Sequence, residues 1–453
     1  MSKTIEVSDV IERGPLGASL WSLLTLCLLV VICDGFDAQI MGYVGPGLVK
    51  QWHLPASALG PLFSAGLFGL MLGALFLGTL GDRFGRKAII LTSVLLFGVF
   101  SLATAFSDAI PHMLVLRFLT GLGLGGAMPG AIALISEYTP KRVRGTFVTI
   151  VVTGFAIGPA LGGLLAATLI PVFGWRSMFV VGGVVPLLLL PLLWWRLPES
   201  ARLMIGRGES ADKVARNLIK VFPRLVVSKD ARFSHVEGQV PAAPVKLIFA
   251  DGRAIGTVLL WLAIFLTLIG INLQTSWLPL MITAMGYPVA TAAATTALFH
   301  FAGALGGLII SRLLDRLNYT HAVAAILVIA SVMVVLIGRS GSSIVILRAT
   351  IFGAGLFVVG GQCALNAMSG IFYPSFIRST GSGWALGIGR MGAVVGPMVG
   401  AALLLKHFSQ QLLFLVEAVP FFLAALAIAV IGLTRHGRIK GADAMSIGAT
   451  FNE

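Results

Sequence analysis

The sequence predicts an all-α membrane protein of twelve transmembrane helices, arranged as two six-helix halves related by pseudo-symmetry. Three observations carry that prediction. Of 453 residues, 57% are hydrophobic and 11% charged, with a mean hydropathy of +0.97, whereas about a quarter of a soluble domain's residues are charged. Apolar windows of about twenty residues, enough to cross a hydrocarbon layer about 30 Å thick, can be drawn twelve times. The third observation is an internal repeat: Asp82 and Asp315, Arg117 and Arg348, and Gly158-Pro159 and Gly396-Pro397 recur at separations of 233, 231 and 238 residues.

Residues 1–17 combine three acids with Lys3 and Arg13. They lack the basic, apolar, then small-residue order of a cleaved leader, so the first window is expected to stay in the chain. That window, 19–41, holds Asp34 and Asp37, and an ionised group there costs roughly 2.5–3.5 kcal/mol on insertion scales. The second, 59–79, runs into a basic turn; the third is 88–107, and the fourth, 111–135, carries Arg117 near its start. The fifth, 145–170, contains Gly158-Pro159, and the sixth, 174–196, closes the first half, 1–196. Residues 197–253 are the one long polar stretch and read as a linker with one or two surface helices. Windows at 254–283, 290–314, 320–338, 342–371, 377–405 and 410–434 make the second half, 254–434, followed by a tail, 435–453.

Lysine and arginine alternate between the two sides of this arrangement. Of 32, 25 fall on the side of both termini, Lys50, Arg176, Arg339 and Lys406 on the other, and Arg117, Arg348 and Arg390 inside windows. Because cytoplasmic loops carry the basic excess, both termini and the linker are predicted to be cytoplasmic. The net charge of +14 is thus spread over short loops and gives no nucleic-acid face. Cys27, Cys33 and Cys363 lie within apolar windows, with neither a disulfide framework nor metal-ligand spacing. Gly121-x-Gly123-x-x-Gly126 and Gly387-x-Gly389-x-x-Gly392 match a dinucleotide-binding pattern but lack the strand that pattern requires, so they read as helix-packing surfaces. No metalloprotease, serine-hydrolase or P-loop motif is present. An enzyme or an ATP-driven pump is therefore not expected, nor is a cofactor or metal.

The turn Gly78-Thr79-Leu80-Gly81-Asp82-Arg83-Phe84-Gly85-Arg86-Lys87 resembles the loop 2–3 signature of the major facilitator superfamily. Gly154-x-x-x-Gly158-Pro159-x-x-Gly162-Gly163 is similar to its helix 5 motif, and Pro198-Glu199-Ser200 also fits. Within the superfamily, Asp34-Gly35-Phe36-Asp37, the Arg117 to Gly126 segment, Trp277-Leu278-Pro279 and the Gly383 to Gly392 segment with Arg390 resemble the aromatic acid:proton symporters. The resemblance implies uptake of benzoate-type carboxylates such as 4-hydroxybenzoate and protocatechuate for aromatic catabolism, at a bacterial inner membrane and by a monomer. It spans windows 1 to 11. The alternative is an antiporter that exports drugs or organic anions in exchange for protons, since Gly158-Pro159 resembles an antiporter-associated motif.

Depth suggests which charges meet. At about 1.5 Å per residue, Asp34 lies about 23 Å from the inner face and Arg117 about 9 Å below the outer one, nearly level in a 30 Å layer. An Asp34–Arg117 ion pair is therefore expected, shared with Asp37 one turn away, and which aspartate carries the proton stays open. Arg390, near the midplane, is the expected carboxylate fork. Trp277, Trp384 and Phe36 are candidate ring contacts, with Gln274 and Asn366 candidates for a ring hydroxyl. His300 is the histidine inside a window, read as structural before proton relay. Gly78, Asp82, Arg83, Gly85, Arg86 and Glu137, with Asp315 in the second copy, are expected to close the cytoplasmic side. Glu137 can pair with Arg83 or Arg86. Arg348 is read as structural. The predicted partners are a small aromatic carboxylate, protons and the lipid bilayer.

Overall fold

The computed structural model describes residues 4–223, 225, 232–234, 244–314, 317–341, 343–374, 376–406 and 408–433. After a short strand β1 (Thr4–Glu6) and helix α1 (Val7–Arg13) come α2 (Ala18–Trp52), α3 (Leu59–Phe84), α4 (Arg86–Thr104), α5 (Ile110–Tyr138), α6 (Lys141–Phe173) and α7 (Arg176–Arg196). The linker forms α8 (Ala201–Gly206), α9 (Ala211–Val221) and strand β2 (Arg232–Ser234). Then follow α10 (Ala254–Ala284), α11 (Val289–Leu314), α12 (Tyr319–Gly338), α13 (Ile344–Phe372), α14 (Arg378–Leu405) and α15 (Gln410–Leu433). Among the described residues, helices α2 to α7 and α10 to α15 are the twelve long and apolar enough to span a membrane. One detail departs from the all-α expectation: β1 pairs with β2 in parallel, Thr4 opposite Arg232.

Several helices overrun their windows. α2 has 35 residues, with Pro46 inside it. Pro46 and its flanking Gly45 and Gly47 read as a stop in sequence, yet within a bundle neighbouring helices re-satisfy the backbone that a proline disrupts. The far end of α2 is held by packing: Trp175 covers Gly47 and donates its Nε1–H to Gln51 Oε1 at 2.5 Å.

The chain divides into two compact units. The first comprises Met1–Ile40, Phe68–Pro159 and Arg176–Gln239; the second comprises Met41–Leu67, Ala160–Trp175 and Val240–Glu453. In the first, α4 packs on α5 and α7. Amphipathic α1 and α9 add Val7, Ile11, Val214, Leu218, Val221 and Phe222 to a core that includes Leu20, Leu23 and Leu24 of α2. In the second, α10 packs on α14, α11 on α13, and α12 on α15.

Lipid removes the hydrophobic drive between spanning helices, so close approach of small residues takes its place. The contacts repeat. A methyl group at Gly73 of α3 would strike the Leu122 carbonyl of α5, and one at Gly306 of α11 the Leu356 carbonyl of α13. Likewise Gly158 of α6 abuts the Ile32 carbonyl of α2, and Gly396 of α14 the Ile269 carbonyl of α10. The duplication seen in the turn motifs is thus also present in the backbone contacts that set helix spacing.

Candidate proton and substrate sites

Asp34-Gly35-Phe36-Asp37 lies in the middle of α2. Gly35 brings that helix against α6 so closely that a Cβ would meet the Phe155 carbonyl, which leaves the aspartates to face elsewhere. Asp34, Asp37 and Arg117 are 2%, 1% and 3% exposed. Arg117 of α5 donates from Nη1 to Asp37 Oδ1 at 2.9 Å and from Nη2 to Thr120 Oγ1 at 2.9 Å. The Phe179 ring of α7 covers the guanidinium at 4.9 Å. Gly182 of α7 leaves room for the second Asp37 oxygen, which a methyl group there would approach to 3.2 Å.

The expected pairing is therefore corrected: the aspartate that holds Arg117 is Asp37, one turn beyond Asp34. The reason is helix length. With 35 and 29 residues, α2 and α5 both exceed the hydrocarbon thickness, so depths counted from window edges slip by about one turn, 5.4 Å. Phe36 is buried beside the pair, its backbone against Gly158.

The turn between α3 and α4 forms a second cluster in the same unit. Gly85 has φ +112°, a conformation that favours glycine. It also makes room for Glu199, whose Oε1 accepts from the backbone N–H groups of Lys87 (3.2 Å) and Ser200 (2.8 Å). A carboxylate there is favoured by the N-terminal end of α4. Asn217 of α9 ties Glu199 to Tyr138, with Nδ2 donating to Tyr138 Oη at 2.8 Å and to the Glu199 carbonyl at 2.7 Å. Arg86 Nε lies 3.5 Å from Glu137 Oε1, so of the two arginines open to Glu137, Arg86 is the partner. The Arg83 carbonyl accepts from Arg207 Nη2 of the linker. Gly78 packs against nothing nearby. The Asp82 side chain and Asp315 lie outside the described residues.

In the second unit the candidates are dispersed. Arg390 is half-buried on α14, next to Gly389 and Gly392, which seat α14 on Ile264 and the Phe265 carbonyl of α10. Trp384, six residues earlier, is 48% exposed and stacks on Trp261 at 6.1 Å. Trp261 donates in turn to Tyr373 Oη at 3.0 Å. Trp277 is fully enclosed: its Nε1–H donates to the Pro397 carbonyl at 3.1 Å, and Phe63 of α3 meets its face edge-on at 5.1 Å. Beside it, Ser64 Oγ donates to the Val394 carbonyl at 2.8 Å.

Gln274 is 1% exposed, and neither its amide oxygen nor its nitrogen has a hydrogen-bond partner among the described residues. His300, also buried, stands edge-on to Phe299. Asn366 accepts from Gln362 Nε2 at 2.8 Å, and Arg348 is exposed on α13.

Two residues of these sites escaped the sequence reading. Glu199 stood only as part of a motif, since its role as an acceptor at α4 depends on folding. Glu417 of α15 is 1% exposed and was readable as an acid inside an apolar window, the signal that singled out Asp34 and Asp37.

A model of the major facilitator superfamily matches residues 27–388. The chain belongs to the major facilitator superfamily. It is 40% identical over 438 residues to the 4-hydroxybenzoate transporter PcaK of Pseudomonas putida, covering 96% of this chain and 98% of that one. It is 40% identical over 443 residues to a gallate transporter of the same organism, with 98% of each chain covered. Among solved structures, a D-xylose–proton symporter superposes with a TM-score of 0.71 at 18% identity, covering 91% of this chain and 97% of that one. This superfamily member therefore shares its fold with a sugar symporter and, over nearly its whole length, 40% of its residues with the 4-hydroxybenzoate and gallate transporters.

Proposed function

We propose that the chain imports aromatic carboxylates together with protons, by alternating access, across an inner membrane with both termini cytoplasmic and as a monomer. The observation that carries the cargo is the 40% identity, over nearly the whole chain, to relatives named for 4-hydroxybenzoate and gallate. The basic excess on the side of the termini supports the orientation. Such transport needs no cofactor: the proton gradient drives it.

Proton coupling follows from a charge count. Asp34, Asp37 and Arg117, all buried, sum to −1 when ionised, and uncompensated charge in a membrane is costly. One proton neutralises the cluster. Asp37 is held by Arg117, and we assign the proton to Asp34, one turn away on the same helix. The cargo's carboxylate seats on Arg390, whose planar fork matches it through two parallel hydrogen bonds. The anion on Arg390 and the proton on the aspartates offset one another in charge, so neither ligand loads cheaply alone. Phe36, Trp277 and Trp384 are assigned to the ring's path. Gly78, Asp82, Arg83, Gly85, Arg86, Glu137 and Asp315 are assigned to closing the cytoplasmic side, with Glu199 added as their anchor.

Proteoliposomes given an inward proton gradient test the proposal. Labelled 4-hydroxybenzoate should accumulate only when the interior is alkaline, and acid-driven extrusion of the label would reverse the direction. Asp34→Asn should lose accumulation and keep counterflow exchange. Normal accumulation in that variant would remove Asp34 from the coupling.

A further inference from the structure

The only acid in α15 is Glu417, seven residues from its start and wholly buried. Neither of its oxygens has a hydrogen-bond partner among the described residues. An ionisable residue in this position marks function by default, with its partner to be named. α15 packs on α10 and α12. Along α10 there is no charged or titratable residue. On α12 the titratable groups are Tyr319 and His321, at the end where Thr320 meets Gly432, some fifteen residues from Glu417 along α15. Past the middle of α12, Ser331 Oγ donates to the Ala418 carbonyl at 3.1 Å, and Arg339, just beyond α12, is exposed. No cation faces this carboxyl from either helix.

A second orphan lies in the same interface. Gly270 of α10 rests against the Phe421 ring of α15, and the two helices run antiparallel. One turn back along α15 from Phe421 is Glu417; one turn forward along α10 from Gly270 is Gln274. Residues four apart share a helix face, so Gln274 and Glu417 each sit one turn from that contact on the helix side that makes it. All four of their polar side-chain atoms are buried and without a hydrogen bond.

A neutral carboxylic acid and a primary amide are complementary: the acid O–H donates to the amide oxygen while the amide N–H donates to the acid carbonyl. A carboxylate can only accept, which leaves the amide oxygen unfilled and brings an uncompensated charge into the seam. Protonation by hydronium breaks one O–H bond there, releases water and forms one O–H bond on a Glu417 oxygen.

We propose that Glu417 is a second proton-binding site of this transporter, with its proton shared with Gln274, so that the cycle carries two protons per aromatic monoanion. This rests on the proposed symport, where one proton on the α2 aspartates balances the anion. The second proton then makes the cycle carry one net positive charge inward. Each tenfold of accumulation for one charge corresponds to 59 mV of potential.

Two measurements on the purified full-length protein test this. Infrared spectra in H₂O and D₂O report the carbonyl band of a buried neutral carboxylic acid without requiring transport. Wild type should show one such band that Glu417→Gln, which preserves shape and hydrogen bonding, lacks. In proteoliposomes held at equal pH on both sides, a 59 mV inside-negative potential should raise 4-hydroxybenzoate accumulation about tenfold in wild type and leave it unchanged in Glu417→Gln, which should still respond to a pH difference. An unaltered potential response in the variant, or spectra identical to wild type, overturns the proposal. If neither protein takes up 4-hydroxybenzoate at all, the cargo assignment fails, while the infrared difference still decides the proton site.

Discussion

In the first unit, charges meet as ion pairs: buried Asp37 with Arg117 at 2.9 Å, and half-buried Glu137 with Arg86 at 3.5 Å. The second unit repeats the first unit's glycine contacts, Gly306 for Gly73 and Gly396 for Gly158, but fills the frame with other chemistry. Arg348, the repeat of Arg117, is exposed, and the buried polar groups Gln274 and Glu417 have no partners among the described residues. The backbone frame and the polar filling therefore diverged separately after duplication. Tight glycine contacts fix helix spacing in both units, while the buried, paired Arg117 of one corresponds to an exposed Arg348 in the other.

Four measurements probe this contrast. The largest effect belongs to the closed pair. Asp37→Ala strands Arg117 in the interior and should cost about 3–5 kcal/mol of stability, read as a lowered thermal midpoint of the purified protein; a loss under 1 kcal/mol would mean the pair is not the buried anchor described. Next come the frame glycines. Gly158→Ala and Gly396→Ala each force a methyl group onto a helix carbonyl and should each cost about 1–3 kcal/mol. Matched losses support a shared frame, and a loss confined to one unit would break the symmetry. Trp277→Phe keeps the ring but removes the bond to the Pro397 carbonyl, worth about 0.5–1.5 kcal/mol, again by thermal unfolding. Smallest is Arg348→Gln: an exposed site should stay within about 0.5 kcal/mol of wild type and keep full uptake, whereas Arg117→Gln should abolish accumulation.

The twelve spans were legible because a run of twenty apolar residues has few other fates in an aqueous cell. Their ends were not. Pro46 with Gly45 and Gly47 reads as a terminus, and only the packing of Trp175 shows why α2 continues. The candidate site was legible as residue types, Asp34, Asp37, Arg117 and Arg390, since charge in an apolar window is conspicuous. The pairing was not, because a one-turn shift decides between Asp34 and Asp37 and sequence does not fix where a helix sits in depth. The β1–β2 pair and the Gly270–Phe421 contact that flanks Gln274 and Glu417 depend on residues more than a hundred positions apart, which periodicity cannot register.

The pairing of β1 with β2 and the burial of Val7 and Ile11 beside α9 impose an order on assembly. A ribosome adds about 5–20 residues per second, so Thr4 waits roughly 11–46 s before its strand partner Arg232 exists. Residues 4–6 find their strand partner only after the first six spanning helices, α2 to α7, have been made. Until then, the apolar side of α1 lacks its α9 neighbours.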